Sequence, residues 1–192
     1  MSARSDRSNR SAAGGWVVRD AIPETDAEAC LAIYAPFVLD TSVSFEEIVP
    51  TIDEFRDRIR AAIATHAWLV LEVGGRVVGY AYGSQHRSRA AYRWAADVTV
   101  YIGPEHRGFG GGRLLYERLF ERLRRLGFQV LCAGVTLPNE SSVGLHRAMG
   151  FEPVGVYRRI GWKAGAWHDV GWFQLELAPP TATAPAELVK PA

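Results

Sequence analysis

Apolar positions recur along this chain with two different periods, and the changes of period divide it into elements. Helical spacing predicts a first helix between residues 23 and 38, set by Ala27, Cys30, Leu31, Tyr34 and Val38. A second helix is predicted from Thr51, because Glu54 follows three residues later in a capping-box pattern. A third is predicted from Gly112 to Leu126, where leucines line one side and charged residues the other.

Runs rich in β-branched and aromatic residues lie between these helices. The opening run "WVVRDA" predicts a strand, and "WLVLEVGGRVVGYAYG" predicts a hairpin that turns at Gly74–Gly75. Further strands are predicted at 92–103, 128–135, 151–160 and 168–177, with a short helix at 139–150. The order β-α-α-β-β-β-α-β-α-β-β predicts one α/β (α+β) domain. Its sheet is expected to be mostly antiparallel with at least one parallel crossover.

The two ends of the chain differ in composition from this central part. Residues 1–15 are rich in Ser and Arg and are predicted to form a disordered arm. Residues 179–192 are rich in Pro and Ala and are predicted to form a disordered tail. The folded domain is therefore expected to span residues 16–178.

Charge and cysteine content narrow the class of protein. The net charge is +1, with 22 Lys and Arg against 21 Asp and Glu, which argues against nucleic acid as a partner. No apolar run approaches the ~20 residues of a membrane span. Cys30 and Cys132 have no metal-ligand spacing and are expected to be buried free thiols in the cytoplasm, with a disulfide as the alternative. No metal site is predicted.

Candidate chemistry begins in the stretch "PEHRGFGGGRLL", which ends in the third helix. Free N–H groups and a partial positive charge at a helix start attract phosphate, and glycines let it approach. Arg107 and Arg113 add positive charge. The stretch is neither a Walker A loop nor a complete G-x-G-x-x-G pattern. By itself it fits a phosphate cradle and a flexible turn equally well.

The pattern Arg107-x-x-Gly110-x-Gly112 after an apolar strand resembles the pyrophosphate loop of the GCN5-related N-acetyltransferases (GNAT). The segments "IYAPFVLDTSVSFEE", "RSRAAYRWAADVTVYI", "LPNESSVGLH" and "GWKAGAWHDVGWFQ" resemble the phosphinothricin N-acetyltransferase branch. The resemblance covers about Val17 to Leu177. It implies the GNAT acyl-CoA N-acyltransferase fold, with a central sheet flanked by helices.

That resemblance implies direct transfer of an acetyl group from acetyl-CoA to an amine, which a base must keep neutral. The family's strand carboxylate maps to Asp97, where the branch usually has the longer Glu; the alternative is a solvated strand-end carboxylate. His146 occupies the position of a catalytic residue of the branch, although a lone helical His is often structural. Both residues are predicted to be catalytic.

Two further groups of binding residues follow from the resemblance. The co-substrate is expected to contact the strand, the glycine loop and the start of the short helix, at Val98, Thr99, Val100, Arg107, Gly108, Phe109, Gly110, Gly111, Gly112, Arg113, Asn139 and Ser141. Asn139 serves equally well as a helix cap. The acceptor is expected to contact Tyr34, Phe45, Arg87, Arg89 and Tyr92, with Arg89 first for a carboxylate.

The predicted acceptor is a small amino-acid-like amine of the phosphinothricin, methionine sulfoximine or methionine sulfone type. Two alternatives stay open: an acetyltransferase acting on a peptide or protein amine, and a non-catalytic acyl-CoA-binding module. The resemblance also implies a homodimer, and the aromatic-rich segment "WKAGAWHDV" fits an interface as well as it fits a core.

Overall fold

The computed structural model describes residues 15–180 and 182–191; the predicted arm, apart from Gly15, lies outside the described residues. The elements follow in the predicted order: β1 Trp16–Asp20, α1 Pro23–Leu39, α2 Ile52–Thr65, β2 Trp68–Val73, β3 Arg76–Gln85, β4 Ala95–Ile102, α3 Gly111–Leu126, β5 Val130–Leu137, α4 Glu140–Ala148, β6 Glu152–Lys163 and β7 Ala166–Glu176. Short 3-10 turns lie at Ala90–Tyr92 and Pro104–His106.

The seven strands form one sheet in the order β1-β2-β3-β4-β5-β7-β6. Every neighbouring pair is antiparallel except β4 and β5, which are parallel and joined through α3. The mixed, mostly antiparallel sheet and its single parallel crossover confirm the predicted fold class.

Helices cover both faces of the sheet. One buried cluster joins α3 to one face, and it includes Ala96 and Val98 of β4. The other joins α1 and α2 to the opposite face, where Tyr101 packs against it. Because side chains alternate along a strand, Asp97 and Thr99 lie on the face of Tyr101.

Local signals place the helix starts. Thr51 Oγ1 accepts the Glu54 N–H at 3.3 Å, and Glu54 Oε2 accepts the Thr51 N–H at 2.8 Å, so the predicted capping box forms. The strand bounds differ more from prediction. β4 begins at Ala95 rather than Tyr92, because residues 90–92 form a 3-10 turn.

The C-terminal segment, which was predicted to be a disordered tail, contacts the folded domain. Val189 N–H donates to the Leu126 carbonyl at 2.9 Å, and the Trp94 indole donates to the Ala186 carbonyl at 2.9 Å. Leu188 packs against the main core. Leu188, one backbone hydrogen bond and one hydrogen bond from an indole hold this segment beside the end of α3 and Trp94.

Candidate functional site

The parallel strands β4 and β5 separate in the middle of the sheet. Their pairing joins Ala95–Val130, Ala96–Leu131 and Asp97–Cys132, and it ends there. Beyond that point β4 keeps only β3 as a ladder partner, and β5 keeps only β7. The strand pair therefore opens just after Asp97, and backbone groups of residues 98–102 face the opening.

A cleft of about 420 Å³ continues from this opening toward the start of α3. Among the predicted co-substrate residues, it is lined by Val100, Arg107, Gly108, Gly110, Gly111, Gly112, Arg113, Asn139 and Ser141. Val98, Thr99 and Phe109 do not line it: Val98 is buried in the core, and Phe109 is exposed. The structure thus brings the glycine loop and the start of α4 together around one cavity.

The start of α3 has free backbone donors. Gly110 precedes the helix with φ of 91°, a left-handed conformation that favours glycine, and no side chain caps the helix. The first hydrogen bond of the helix is donated by the Leu114 N–H to the Gly110 carbonyl, at 3.0 Å. The N–H groups of Gly111, Gly112 and Arg113, in the first turn, precede that bond and have no partner within the helix, and all three residues line the cleft.

The two predicted arginines are held differently. Arg107 Nε donates to the Ile102 carbonyl at 3.0 Å, and its guanidinium lies 4.8 Å from the ring centre of Phe37. Arg113 Nε donates to Glu117 at 2.8 Å across one helical turn. Both arginines line the cleft: Arg107 is held there by two contacts, and Arg113 is exposed and paired with Glu117.

The start of α4 supplies Asn139, whose Oδ1 accepts the Ser142 N–H at 3.1 Å and caps the helix. The cap uses the side-chain oxygen and leaves the amide NH₂ available on the cleft side. The two alternatives that the sequence left open for Asn139 are therefore compatible.

His146 lies in the core and not in the cleft. Its side chain is buried between Tyr116, Phe151 and Phe173. Nδ1 lies 2.7 Å from the Ser142 carbonyl and Nε2 lies 3.1 Å from the Tyr116 hydroxyl. Desolvation lowers the pKa of His146, against the opposing effect of the Ser142 carbonyl. Both ring nitrogens therefore have hydrogen-bond partners in this structure, and the catalytic role of His146 stays a prediction.

Asp97 stands at the point where β4 and β5 separate, and it contacts a histidine that the sequence analysis did not select. His86 Nδ1 lies 2.7 Å from Asp97 Oδ1. Desolvation raises the pKa of the Asp97 carboxyl, and the hydrogen bond from His86 opposes that shift. Burial, followed by the Asp97 charge, raises the pKa of the neighbouring Cys132 thiol to about 11.

Among the described residues, the one group that could hold a metal is His86, Asp97 and Cys132, whose ligand atoms lie within 4.8 Å of one another. Two ligands at about 2.0 Å from a tetrahedral ion stand about 3.3 Å apart. The His86–Asp97 distance of 2.7 Å is shorter than that and matches a direct hydrogen bond.

Two of the predicted acceptor residues, Arg87 and Tyr92, lie next to His86, the hydrogen-bond partner of Asp97. Arg87 lies 5.8 Å from the Trp172 ring centre and donates to the His86 carbonyl at 3.1 Å. Tyr92 is half-exposed, with its ring centre 6.0 Å from that of His86. Arg89 follows on the exposed loop before the 3-10 turn.

Tyr34 belongs to α1, and Phe45 lies in the segment between α1 and α2. The Tyr34 hydroxyl is buried against Ser44 Oγ at 2.6 Å, and its ring lines a second cavity of about 430 Å³ between α2 and β3. Ser84 also lines this cavity and pairs directly with Asp97 across the sheet. Phe45 is partly exposed, with its ring centre 6.2 Å from that of His168.

Sequence analysis missed the role of Lys163, a buried side chain that fixes the segment carrying Phe45. Its ammonium donates to the carbonyls of Val38, Ser44 and Glu46 at 2.7, 2.6 and 2.8 Å. These bonds tie the connection between α1 and α2 to the end of β6. A Lys just before a hairpin turn is usually exposed, so no local signal indicated this contact.

Comparisons with known proteins agree with this geometry. The acetyltransferase (GNAT) domain family matches residues 20–172. Phosphinothricin N-acetyltransferase of Streptomyces viridochromogenes is 36% identical over 86% of this chain and 89% of its own length. An L-methionine sulfoximine/L-methionine sulfone acetyltransferase of Salmonella typhimurium is 33% identical over 80% of this chain and 91% of its own.

A solved structure gives the same result at the level of the fold. A GNAT superfamily phosphinothricin acetyltransferase from Sinorhizobium meliloti, in complex with AcCoA, superposes with a TM-score of 0.85. It is 36% identical and covers 90% of this chain and 94% of its own. This chain therefore belongs to the GNAT acetyltransferase family, as its resemblance to the phosphinothricin N-acetyltransferase branch implied.

Proposed function

We propose that this protein transfers the acetyl group of acetyl-CoA to the amine of a small amino-acid-like acceptor. The observation that carries the proposal is the opening between β4 and β5, which begins at Asp97 and continues into the cleft beside α3. Relatives that act on phosphinothricin and on methionine sulfoximine or sulfone support this acceptor class.

The cleft fits acetyl-CoA at its phosphate end. The uncapped start of α3 offers backbone N–H groups to an anion, and Arg107 lies beside them. A Cβ built on Gly108 or Gly110 meets nothing within 4 Å, so the protein itself leaves open space there. We assign the pyrophosphate to this cradle.

The opposite end of the cleft fits the acyl arm. We assign the pantetheine to the free backbone edge of Val98, Thr99 and Val100, and we assign Asn139 and Ser141 to contacts near the thiol. When bound, acetyl-CoA supplies an activated acetyl carbon. A backbone N–H of β4 then polarises its carbonyl.

We assign the acceptor to the space bordered by Asp97, Arg87, Arg89 and Tyr92, with Phe45 and Tyr34 on the other side. An arginine holds a carboxylate with two parallel hydrogen bonds, which fits an amino-acid acceptor. We assign the proton that the attacking amine must lose to the group formed by Asp97 and its hydrogen-bond partner His86.

The exposed edge of the sheet supports a homodimer. β6 is the last strand of the sheet, and together with the start of β7 it exposes large apolar side chains: Val154, Val156, Tyr157, Ile160, Trp162 and Trp167. A patch of this kind is typical of an interface. We propose that a second copy of this chain covers it, and sedimentation velocity on wild type and Trp167→Glu tests this.

We also propose a cytoplasmic location, which the two buried free thiols Cys30 and Cys132 support. Among the described residues, no helix is long and apolar enough to cross a membrane.

Release of the CoA thiol over a panel of amines tests the proposed function. Phosphinothricin, methionine sulfoximine and methionine sulfone are expected to release thiol, whereas a lysine-containing peptide and a carboxylate-free amine of similar size are expected to release far less. Tight acetyl-CoA binding with no release from any amine would contradict the proposal.

A further inference from the structure

His86 directly follows β3 and faces the end of the parallel strand pair. β3 ends at Gln85, which pairs with Ala96, so the next residue reaches the level where β4 begins. There the His86 imidazole meets the Asp97 carboxylate at 2.7 Å. The contact therefore joins the end of one strand to the point where two others separate.

The two ring nitrogens of His86 differ in their surroundings. A carboxylate only accepts hydrogen bonds, so contact with ionised Asp97 favours the tautomer with the proton on Nδ1. Within the part of the chain that the structure describes, Nε2 has no hydrogen-bond partner. Its lone pair is therefore available to accept a proton.

The His86 ring lies next to Tyr92 and Arg87, two of the proposed acceptor residues. The ring centres of Tyr92 and Trp172 each lie 6.0 Å from that of His86, in edge-to-face orientation. The His86 side chain is 15% exposed, so it is fixed in place and still reached from solvent. Arg87, a predicted acceptor residue, contacts the backbone of His86 itself.

His146 provides the contrast within the same chain. Both of its nitrogens have partners, and the aromatic core encloses it. A general base needs a free lone pair within reach of the substrate. Of these two histidines, only His86 combines a ring nitrogen free of hydrogen-bond partners among the described residues with partial exposure to solvent.

We propose that His86 is the catalytic base and that Asp97 is a positioning residue that fixes its tautomer and orientation. The inference rests on the proposed acetyl transfer and names the group that touches the amine. It also addresses the reach of Asp97, which is one methylene shorter than the Glu usual in this branch. The imidazole extends the reach of the carboxylate by the length of a ring.

The proton and electron balance is complete without another reactant. Nε2 takes one proton from the acceptor ammonium, and the neutral amine forms a C–N bond to the acetyl carbon. The C–S bond breaks, its electron pair goes to sulfur, and the thiolate receives the second N–H proton through solvent. The imidazolium beside Asp97 then releases its proton to water, so one proton is released per turnover.

The test compares His86→Gln with Asp97→Asn, and uses Asp57→Asn, at an exposed carboxylate of α2, as the matched control. His86→Gln is expected to lower kcat by about 100-fold or more, the usual contribution of a general base. Acetyl-CoA affinity, measured by calorimetry, is expected to change by less than about threefold, because His86 does not line the cleft. Asp57→Asn is expected to keep kcat within about threefold.

Chemical rescue separates a base from a structural residue. Added imidazole is expected to restore turnover to folded His86→Ala, and more basic imidazoles should restore it faster at equal free-base concentration. Circular dichroism and thermal melts establish that the variants fold, and Asp97→Asn should keep partial activity that imidazole does not raise.

Three results would overturn the proposal: kcat of His86→Gln within about threefold of wild type, no rescue of folded His86→Ala, or loss of wild-type activity on chelation with recovery on added zinc. The last would make His86 a metal ligand. Absence of turnover by wild type with every amine would instead refute the proposed function, so the two failures are distinguishable.

Discussion

Asp97 and Cys132 are the last residues that pair across the parallel strands β4 and β5. On one side of this pair the sheet is continuous, and on the other its two halves diverge toward the start of α3. A sheet that opens in this way exposes backbone donors and acceptors without leaving them in a buried core. The pair therefore marks both the end of the ladder and the proposed site of transfer.

Gly110→Val is expected to weaken acetyl-CoA binding by at least about tenfold, because a branched side chain would occupy the phosphate cradle and disfavour the left-handed backbone. Calorimetric titration with acetyl-CoA measures this. Gly144→Ala is the control, since that glycine lies within α4 with open space around it. Unchanged affinity in folded Gly110→Val would place the phosphate elsewhere.

Arg89→Ala is expected to raise KM for a carboxylate-bearing acceptor by about tenfold or more, as expected when a charged hydrogen bond is lost. The kcat should change little if the contact is the same in ground and transition states. Arg118→Ala, on the exposed side of α3, is the control. An unchanged KM for Arg89→Ala would show that another group, with Arg87 the next candidate, holds the carboxylate.

Lys163→Met is expected to lower the free energy of unfolding by about 3 kcal/mol, because three carbonyls lose their shared donor. It should also raise KM for the acceptor, since the segment carrying Phe45 is released. Urea unfolding and steady-state kinetics measure the two effects. Lys190→Met changes the only other lysine, which is exposed, and should leave both quantities unchanged.

Acid sensitivity should depend on His66, which is buried and stacked on Phe128. Desolvation lowers the pKa of His66 to about 4, below the value of about 6.5 expected in the unfolded chain. The unfolded state therefore binds more protons between these values, and stability falls as pH decreases through that window. His66→Phe should remove about 2 kcal/mol of the stability difference between pH 7 and pH 4.5. An identical difference in both proteins, measured by urea unfolding, would contradict the assignment.

Local features of the site were predictable from sequence. The cap at Thr51, the turn at Gly74–Gly75 and the glycine-rich start of α3 depend on residues within a few positions of one another. The resemblance then identified the fold correctly. From sequence alone, the loop containing Gly110 fitted a flexible turn and a phosphate cradle equally well. The structure adds that the helix after Gly110 starts without a side-chain cap.

Features that depend on distant packing were not predictable. The His86–Asp97 contact needs the register of β3 against β4, and the three bonds of Lys163 join residues more than a hundred positions apart. His146 illustrates the same limit. Its sequence position fits a catalytic residue, but only packing of α4 against Tyr116 and Phe173 reveals that its nitrogens are occupied.

The most direct test of the proposed transfer site is the paired measurement of kcat and acetyl-CoA affinity in Asp97→Ala, with Asp57→Ala on the exposed side of α2 as control. With an accepted amine, kcat of Asp97→Ala should fall by about 100-fold or more, while affinity stays within about threefold of wild type. Wild-type kcat in Asp97→Ala would contradict a transfer site at the point where β4 and β5 separate.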